Sequence, residues 1–342
     1  MPSTLIIRFG ALGDLCICGW FLSGLADAWP DTRTTLATKA RFAELAAAFD
    51  GVDAVAPLSG RGLPALASLA RTLRRDRFDR VLDAHGVLRS HLLGWLMGRR
   101  PDARIHKDTR HRLELLRDAQ RARSPLPLSL QRHLLDRYLE LAGADRAPAV
   151  TPRPPLLHLR PQPSSPPRLA LAPGARWDTK RWPDNKFAAL IDLLRESTDV
   201  PISLFLGPEE APWCDTGPMA EAAARHPRLE MIRNRSLPEV AGELARCRAL
   251  VTNDSGLLHL AEATGTPVVA LFGPTVRAFG YFPLLPRSRV LERSLDCRPC
   301  SRTGSRPCHR GDLACLEGIE TATVHEAVLA LLDAPPDREG DA

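Results

Sequence analysis

Four stretches of the sequence combine reactive side chains with glycine or with close spacing. The first, Arg8-Phe9-Gly10-Ala11-Leu12-Gly13-Asp14, ends in a carboxylate. Its two glycines let the backbone turn sharply and approach a ligand. Asp14 falls where a helix would start, so it is either a general base or a helix N-cap. The third glycine of a dinucleotide fingerprint is absent. The second stretch, Pro173-Gly174-Ala175-Arg176-Trp177-Asp178-Thr179-Lys180-Arg181-Trp182-Pro183, sets three cations and two tryptophans on one loop. Lys180 lies here and Lys186 just beyond it, two of only four lysines in the chain. Cations so placed neutralise phosphate oxygens. The competing reading is a solvated basic loop whose tryptophans cover the core.

The third stretch is Val251-Thr252-Asn253-Asp254-Ser255-Gly256-Leu257-Leu258-His259. A strand ending at Asp254 and a helix beginning near Ser255 would present free N–H groups and a partial positive charge, a site for diphosphate. Asp254 would accept a hydroxyl there, or act as a cap. His259, one turn on, is either a ligand contact or a core histidine. The fourth, Cys297-x2-Cys300-x7-Cys308-x6-Cys315, crowds four thiols into nineteen residues. That spacing fits a structural zinc or iron site, or else packed free thiols.

These residues need elements to position them. Strands are expected at Thr4–Phe9, Thr34–Thr38, Val52–Leu58 and Asp79–Asp83, with a first helix carrying Leu15, Cys18, Leu22 and Leu25 on one face. A helix over 131–142 closes the first half, and residues 151–167 read as a proline-rich linker. The second half restarts at Arg168–Ala172. A helix over 184–195 follows, then strands at Pro201–Leu206, Leu229–Ile232, Leu250–Thr252 and Val268–Phe272, with the helix Pro238–Arg246 among them. Alternation of this kind means parallel sheets with helices on both faces. The expected division is 1–150, linker 151–167, 168–332 and a disordered tail 333–342, with ligands in a cleft at the carboxyl ends of both sheets.

Composition narrows the partners. Of 342 residues, 44% are apolar and 25% charged, which fits a globular protein and excludes collagen-like or wholly disordered chains. Aromatic residues make up only 5%, too few for rows of base-stacking side chains, so no nucleic acid is expected. The net charge of +6 rests on arginine, since only four of 46 basic residues are lysine. Arginine in such excess favours an anionic partner: a phosphorylated metabolite or an acidic membrane surface. The apolar segment from Leu15 to Trp29 is interrupted by Asp27 and lacks a cleavage site, so a cytoplasmic location with reduced thiols is expected.

The first three stretches, in this order, resemble glycosyltransferase family 9, the ADP-heptose:lipopolysaccharide heptosyltransferases. The most specific part is Thr252-Asn253-Asp254-Ser255-Gly256-x-x-His259 running on to Phe272-Gly273-Pro274-Thr275, followed by Pro173-Gly174 with Lys180-Arg181-Trp182-Pro183. The segment Asp83-Ala84-His85-Gly86-Val87-Leu88-Arg89-Ser90 also fits, although the family often has glutamine where His85 stands.

The resemblance implies a GT-B fold of two Rossmann-like, doubly wound domains. It also implies an inverting transfer of heptose from ADP-heptose to an inner-core lipopolysaccharide acceptor at the inner membrane surface, with no cofactor required for catalysis. Asp14 would be the general base. Arg176, Thr179, Lys180, Glu209, Asp254, Ser255, Gly256 and His259 would hold the donor, Lys180 at its phosphates and Glu209 at its ribose. Gly13, Arg89, His133 and Arg137 would face the acceptor. For Arg89, His133 and Arg137 an ordinary helix surface is the competing reading. Three alternatives stay open: an acceptor made of protein hydroxyls, another nucleotide sugar, and a binding module without turnover.

Overall fold

The computed structural model describes residues 1–117, 132–143, 150–160, 168–207, 210 and 215–334. By contacts the chain divides into two compact units, Met1–Asp108 with His133–His158, and Thr109–Arg132 with Leu159–Ala342.

The first unit runs β1 (Ser3–Ile7), α1 (Leu12–Ala28), β2 (Arg33–Lys39), α2 (Ala43–Ala47), β3 (Ala54–Leu58), α3 (Gly62–Arg75), β4 (Arg80–Asp83), α4 (Leu88–Met97) and β5 (Ala103–Arg104). The helix α5 (Thr109–Arg117) counts with the second unit, and α6 (Leu134–Leu139) returns to the first. The strands form one parallel sheet in the order β3-β2-β1-β4-β5. Leu5, Ile6 and Ile7 of β1 are fully buried, as a central strand covered on both faces requires.

The sequence suggests a single apolar stripe on α1, but every residue from Leu15 to Leu25 is buried. The extra cover comes from the proline-rich segment, whose described part is no free linker. Val150 and Leu156 are buried, Asp50 N–H donates to the Pro155 carbonyl at 2.8 Å, and Arg153 pairs with Asp27 and Asp50. Gly24 makes this possible: a Cβ there would lie 2.5 Å from the Thr151 carbonyl oxygen. The first unit therefore extends to His158 instead of ending at 150, while Thr109–Arg132 leaves it. In the second unit the Arg112 guanidinium lies 5.0 Å from the centre of the Tyr281 ring.

The second unit continues with β6 (Arg168–Ala172), α7 (Asp184–Ser197), β7 (Ile202–Leu206), α8 (Pro218–Arg225), β8 (Glu230–Arg233) and α9 (Leu237–Ala245). Then come β9 (Cys247–Asn253), α10 (Gly256–Ala263), β10 (Val268–Phe272), β11 (Arg289–Glu292), α11 (Ala314–Glu317) and α12 (Thr321–Asp333). Its sheet is parallel in the order β11-β10-β9-β6-β7-β8. The strand β11 and the helix α12 were not foreseen. The strand's only partly buried Arg-Val-Leu-Glu has no alternation to betray it, and α12 falls at the end of the expected second domain, where no element had been assigned.

Both sheets share one topological property. The chain winds outward from β1 in one direction, then starts again on its other side at β4; β6 and β9 repeat this in the second sheet. At such a switch point the crossover helices diverge to opposite faces and leave the carboxyl ends of two adjacent strands uncovered. Arg8–Asp14 and Asp83–Ser90 follow β1 and β4. Lys180 and Asp254 follow β6 and β9.

Glu262 on α10 fixes the chain beyond β10. Its carboxylate accepts from Leu284 N–H, Leu285 N–H and Ser288 Oγ, each within 2.9 Å. Burial outweighs these donors and pushes the carboxyl up to about 7, from 4.5. Between those values the folded chain holds a proton that the unfolded chain has released, so this group's stabilisation is full below about pH 4.5 and is lost as pH rises through about 7. Comparing urea unfolding of the wild type and Glu262→Gln from pH 5 to 8 should show the wild type losing stability relative to the variant as pH rises. Parallel pH profiles would contradict it.

Candidate active site

At the first switch point, Arg8 is a cation in an otherwise apolar segment and is 5% exposed. A buried charge needs partners. Its guanidinium pairs with Asp14 Oδ2 at 2.7 Å and donates to the Ala84 carbonyl at 2.8 Å, tying the end of β1 to the end of β4. The Tyr138 ring lies against it at 5.8 Å, and the Tyr138 hydroxyl donates to the Asp14 backbone carbonyl at 3.3 Å.

Asp14 is not itself the N-cap. Ala11 is the N-cap residue, and Asp14, at the third helical position, accepts from Ala11 N–H at 3.0 Å. Its side chain is 19% exposed, so the same carboxylate is held rigidly and still reachable.

Asp83 is structural. Fully buried, it accepts from His85 N–H, Gly86 N–H, Ser90 Oγ and Arg104 Nε, which shapes the loop after β4. His85 stands edge-on to Phe9 at 5.5 Å, and burial, Arg8 and Lys107 push its pKa down to about 4. It is a neutral imidazole at neutral pH, able to exchange hydrogen bonds without adding charge.

The acceptor candidates differ in exposure. Gly13 is buried in α1, while Arg89 is exposed at the start of α4. His133 and Arg137 are not helix surface. His133 is 4% exposed and caps α6, its Nδ1 accepting from Leu135 N–H at 3.0 Å. Arg137 is 3% exposed and pairs with Asp108 at 3.1 Å.

At the second switch point, Lys180 and Asp254 meet. Lys180 Nζ lies 2.5 Å from Asp254 Oδ2, and the Thr275 hydroxyl donates to the same oxygen at 2.5 Å. Burial pushes the Asp254 carboxyl up, but Lys180, Thr275 and His259 together outweigh it and hold the group below its ordinary value. Ser255 is the N-cap of α10, its Oγ accepting from Leu257 N–H at 3.3 Å, and Gly256 opens the helix. His259 is buried one turn further on.

The other cations of the basic loop separate by role. Arg181 donates to the Ala175 carbonyl at 2.8 Å and pairs with Asp178. Lys186 donates to the Glu317 and Ile319 carbonyls, so it secures the chain around α11 and is not a phosphate group's partner. Arg176 is exposed, 5.0 Å over the Trp177 ring. Glu209 lies outside the described residues.

Asn253, fully buried, locks the two motifs together. Its side chain accepts from Trp182 N–H at 3.0 Å and donates to the Pro173 carbonyl at 2.7 Å.

The cysteine-bearing segment braces this cluster. The Thr179 hydroxyl donates to the Gly304 carbonyl. Gly304 has φ +87°, and a Cβ there would lie 2.8 Å from Lys180 Cγ. Arg298, 5% exposed, donates to the Gly273 and Thr275 carbonyls and pairs with Glu292 at 2.7 Å.

Cys297, Cys300, Cys308 and Cys315 are free thiols, and among the described residues no three of His, Cys, Asp or Glu are grouped to hold an ion. Cys315 sits in the core, where burial pushes its thiol up to about 11.

Sequence reasoning missed Arg8, Thr275, Arg298 and Gly304 as parts of the site. A lone arginine between apolar residues was the available signal for Arg8; Arg298 and Gly304 gave none.

Two parallel doubly wound sheets, each with a charged cluster at its switch point, make a GT-B architecture, and the solved structures agree on that fold. The E. coli ADP-heptose lipopolysaccharide heptosyltransferase II superposes with a TM-score of 0.70, at 23% identity, covering 97% of this chain and 98% of that one. E. coli heptosyltransferase WaaC with ADP-2-deoxy-2-fluoro heptose gives a TM-score of 0.69 at 21% identity, covering 96% and 99%. Lipopolysaccharide heptosyltransferase 1 of Pseudomonas aeruginosa is 30% identical over 334 residues, 87% of this chain and 85% of that protein. The model of glycosyltransferase family 9 (heptosyltransferase) matches residues 66–309, and the chain belongs to that family.

The Lys180–Asp254 pair is largely buried, with side chains 14% and 11% exposed. Removing one partner strands the other charge. Asp254→Asn should therefore lower unfolding stability by about 3 kcal/mol, and adding Lys180→Met should restore at least about 1 kcal/mol of it. Strictly additive effects in chemical denaturation would contradict the coupling.

Proposed function

We propose that this glycosyltransferase moves heptose from ADP-heptose to an inner-core lipopolysaccharide acceptor, inverting the anomeric carbon. The observation that carries the reading is the Lys180–Asp254–Thr275 cluster beside the start of α10. A diphosphate there would draw the Lys180 ammonium onto its oxygens and receive the positive end of α10. Asp254, relieved of part of that contact, would accept a sugar hydroxyl. Arg176 and Thr179 would complete the donor side, with Glu209 at the ribose. The names of the Pseudomonas relative and of the nucleotide-sugar complex of WaaC support this choice of donor and acceptor.

In the first unit the acceptor hydroxyl would give its proton to Asp14 as its oxygen bonds to the anomeric carbon. The bond from that carbon to the ADP oxygen breaks, and the electron pair leaves with the diphosphate. Arg8 keeps Asp14 in place while Lys180 and α10 meet the growing charge on ADP. Arg89 is the exposed cation of the acceptor side. His133 and Arg137 shape α6 behind it. No step is assigned to the cysteines; their segment meets the loops that carry Lys180 and Thr275 through Gly304 and Arg298. The work would be done at the cytoplasmic face of the inner membrane, where a lipid-anchored acceptor is found.

Asp14→Asn tests the base. Asparagine keeps the oxygen facing Ala11 N–H and Arg8, so folding should survive. With ADP-heptose and a core-oligosaccharide acceptor, ADP release should fall at least ~100-fold while ADP affinity stays unchanged. Turnover at the wild-type rate would overturn the assignment. Offering competing nucleotide sugars alongside tests the donor.

A further inference from the structure

The helices α3 and α4 pack against each other on one side of the first sheet, and their outward faces are unusual in two ways. On α4, Leu88 is 81% exposed and Trp95, two turns on and on the same stripe, is 76% exposed. Large apolar groups this exposed on one helix face mark an interaction surface. The second feature is charge. Residues 59–75 and 84–101 contain no Asp or Glu. Arg61, Arg71, Arg74 and Arg75 on or beside α3, and Arg89 and Arg100 on or beside α4, are all exposed. Arg74 reaches the end of α4, its guanidinium 3.6 Å from where a Cβ on Gly98 would lie.

We infer that the α3–α4 face docks on an anionic lipid bilayer, with Leu88 and Trp95 entering the headgroup region and the surrounding arginines on lipid phosphates. Tryptophan settles at the membrane–water boundary because its ring is apolar and its N–H polar. Basic residues beside an anionic leaflet each add about 1 kcal/mol, roughly five-fold in partitioning. Neither contribution alone gives firm attachment, but the two together on one face do. No helix among the described residues is long and apolar enough to cross a membrane, so attachment through this face is peripheral. A protein partner would need an apolar pocket for residues 88 and 95 within an acidic surface, whereas an anionic bilayer offers both at any point. The inference rests in part on the proposed function, since a lipid-anchored acceptor must be met at the bilayer: Leu88 adjoins Arg89, the exposed cation of the acceptor side.

The test uses the full chain and sedimentation with vesicles of phosphatidylethanolamine and phosphatidylglycerol, with neither donor nor acceptor present. The wild type should co-sediment, bind phosphatidylcholine vesicles at least ten-fold more weakly, and dissociate as salt rises. Leu88→Ser with Trp95→Ser should lower partitioning at least ten-fold. Because both side chains are exposed, transfer to a soluble, deacylated core acceptor should be unchanged, while transfer to an acceptor embedded in vesicles should fall. The inference is overturned if the wild type stays in the supernatant, if the variant binds equally well, or if the variant instead turns a dimer into a monomer on gel filtration. If vesicle binding behaves as stated and no heptose transfer occurs on either acceptor, the functional proposal fails and the docking face stands.

Discussion

A parallel sheet whose winding reverses direction leaves two strand ends side by side with no helix drawn across them. This constraint acts in both units, between β1 and β4 and between β6 and β9. Loops leaving those strands are short, so whatever polar groups they carry are pressed together in partly buried surroundings. Charges so confined must be paired. The protein answers with Arg8 and Asp14 in one unit, Lys180 and Asp254 in the other. Each pair is held by further protein groups: the Ala84 carbonyl and Ala11 N–H around Arg8 and Asp14, and the Thr275 hydroxyl on Asp254. The Asp14 and Lys180 side chains keep 19% and 14% exposure, so neither is sealed from solvent.

Around these pairs stand residues that do no chemistry and fix the geometry. Asn253 holds the end of β9 to the loop after β6. Asp83 accepts four hydrogen bonds and gives the loop after β4 its shape. Arg298 grips the carbonyls after β10, and so places Thr275 against Asp254. The cysteine-bearing segment belongs to this supporting layer: it enters the site through Gly304 and Arg298, and its Cys315 goes to the core.

Much of the frame was readable in the residues because parallel strands buried on both faces read as short apolar runs between turn signals. β6 and β10 fall where the sequence put them. The partly buried β11 has no such run, and the all-round burial of α1 depends on a proline-rich segment docking on it from more than a hundred residues away. In the site, Lys180 and Asp254 stood in motifs and were found, but not as partners, since sequence separation conceals pairing. For His133 and Arg137, expected to face an acceptor or else to lie on helix surface, burial was not legible because it is created by α6 packing on α1 and by Asp108. The spacing of the cysteines suggested a metal, and among the described residues no three potential ligands are grouped to hold one.

On the proposed function, the β6–β9 switch point receives the donor's diphosphate. A crystal structure of the protein with ADP-heptose tests this most directly. The account predicts diphosphate oxygens within ~3 Å of Lys180 Nζ and of the Gly256 N–H, with the Asp254 carboxylate turned toward the sugar. A nucleotide bound elsewhere, with the Lys180–Asp254 pair undisturbed, would contradict it.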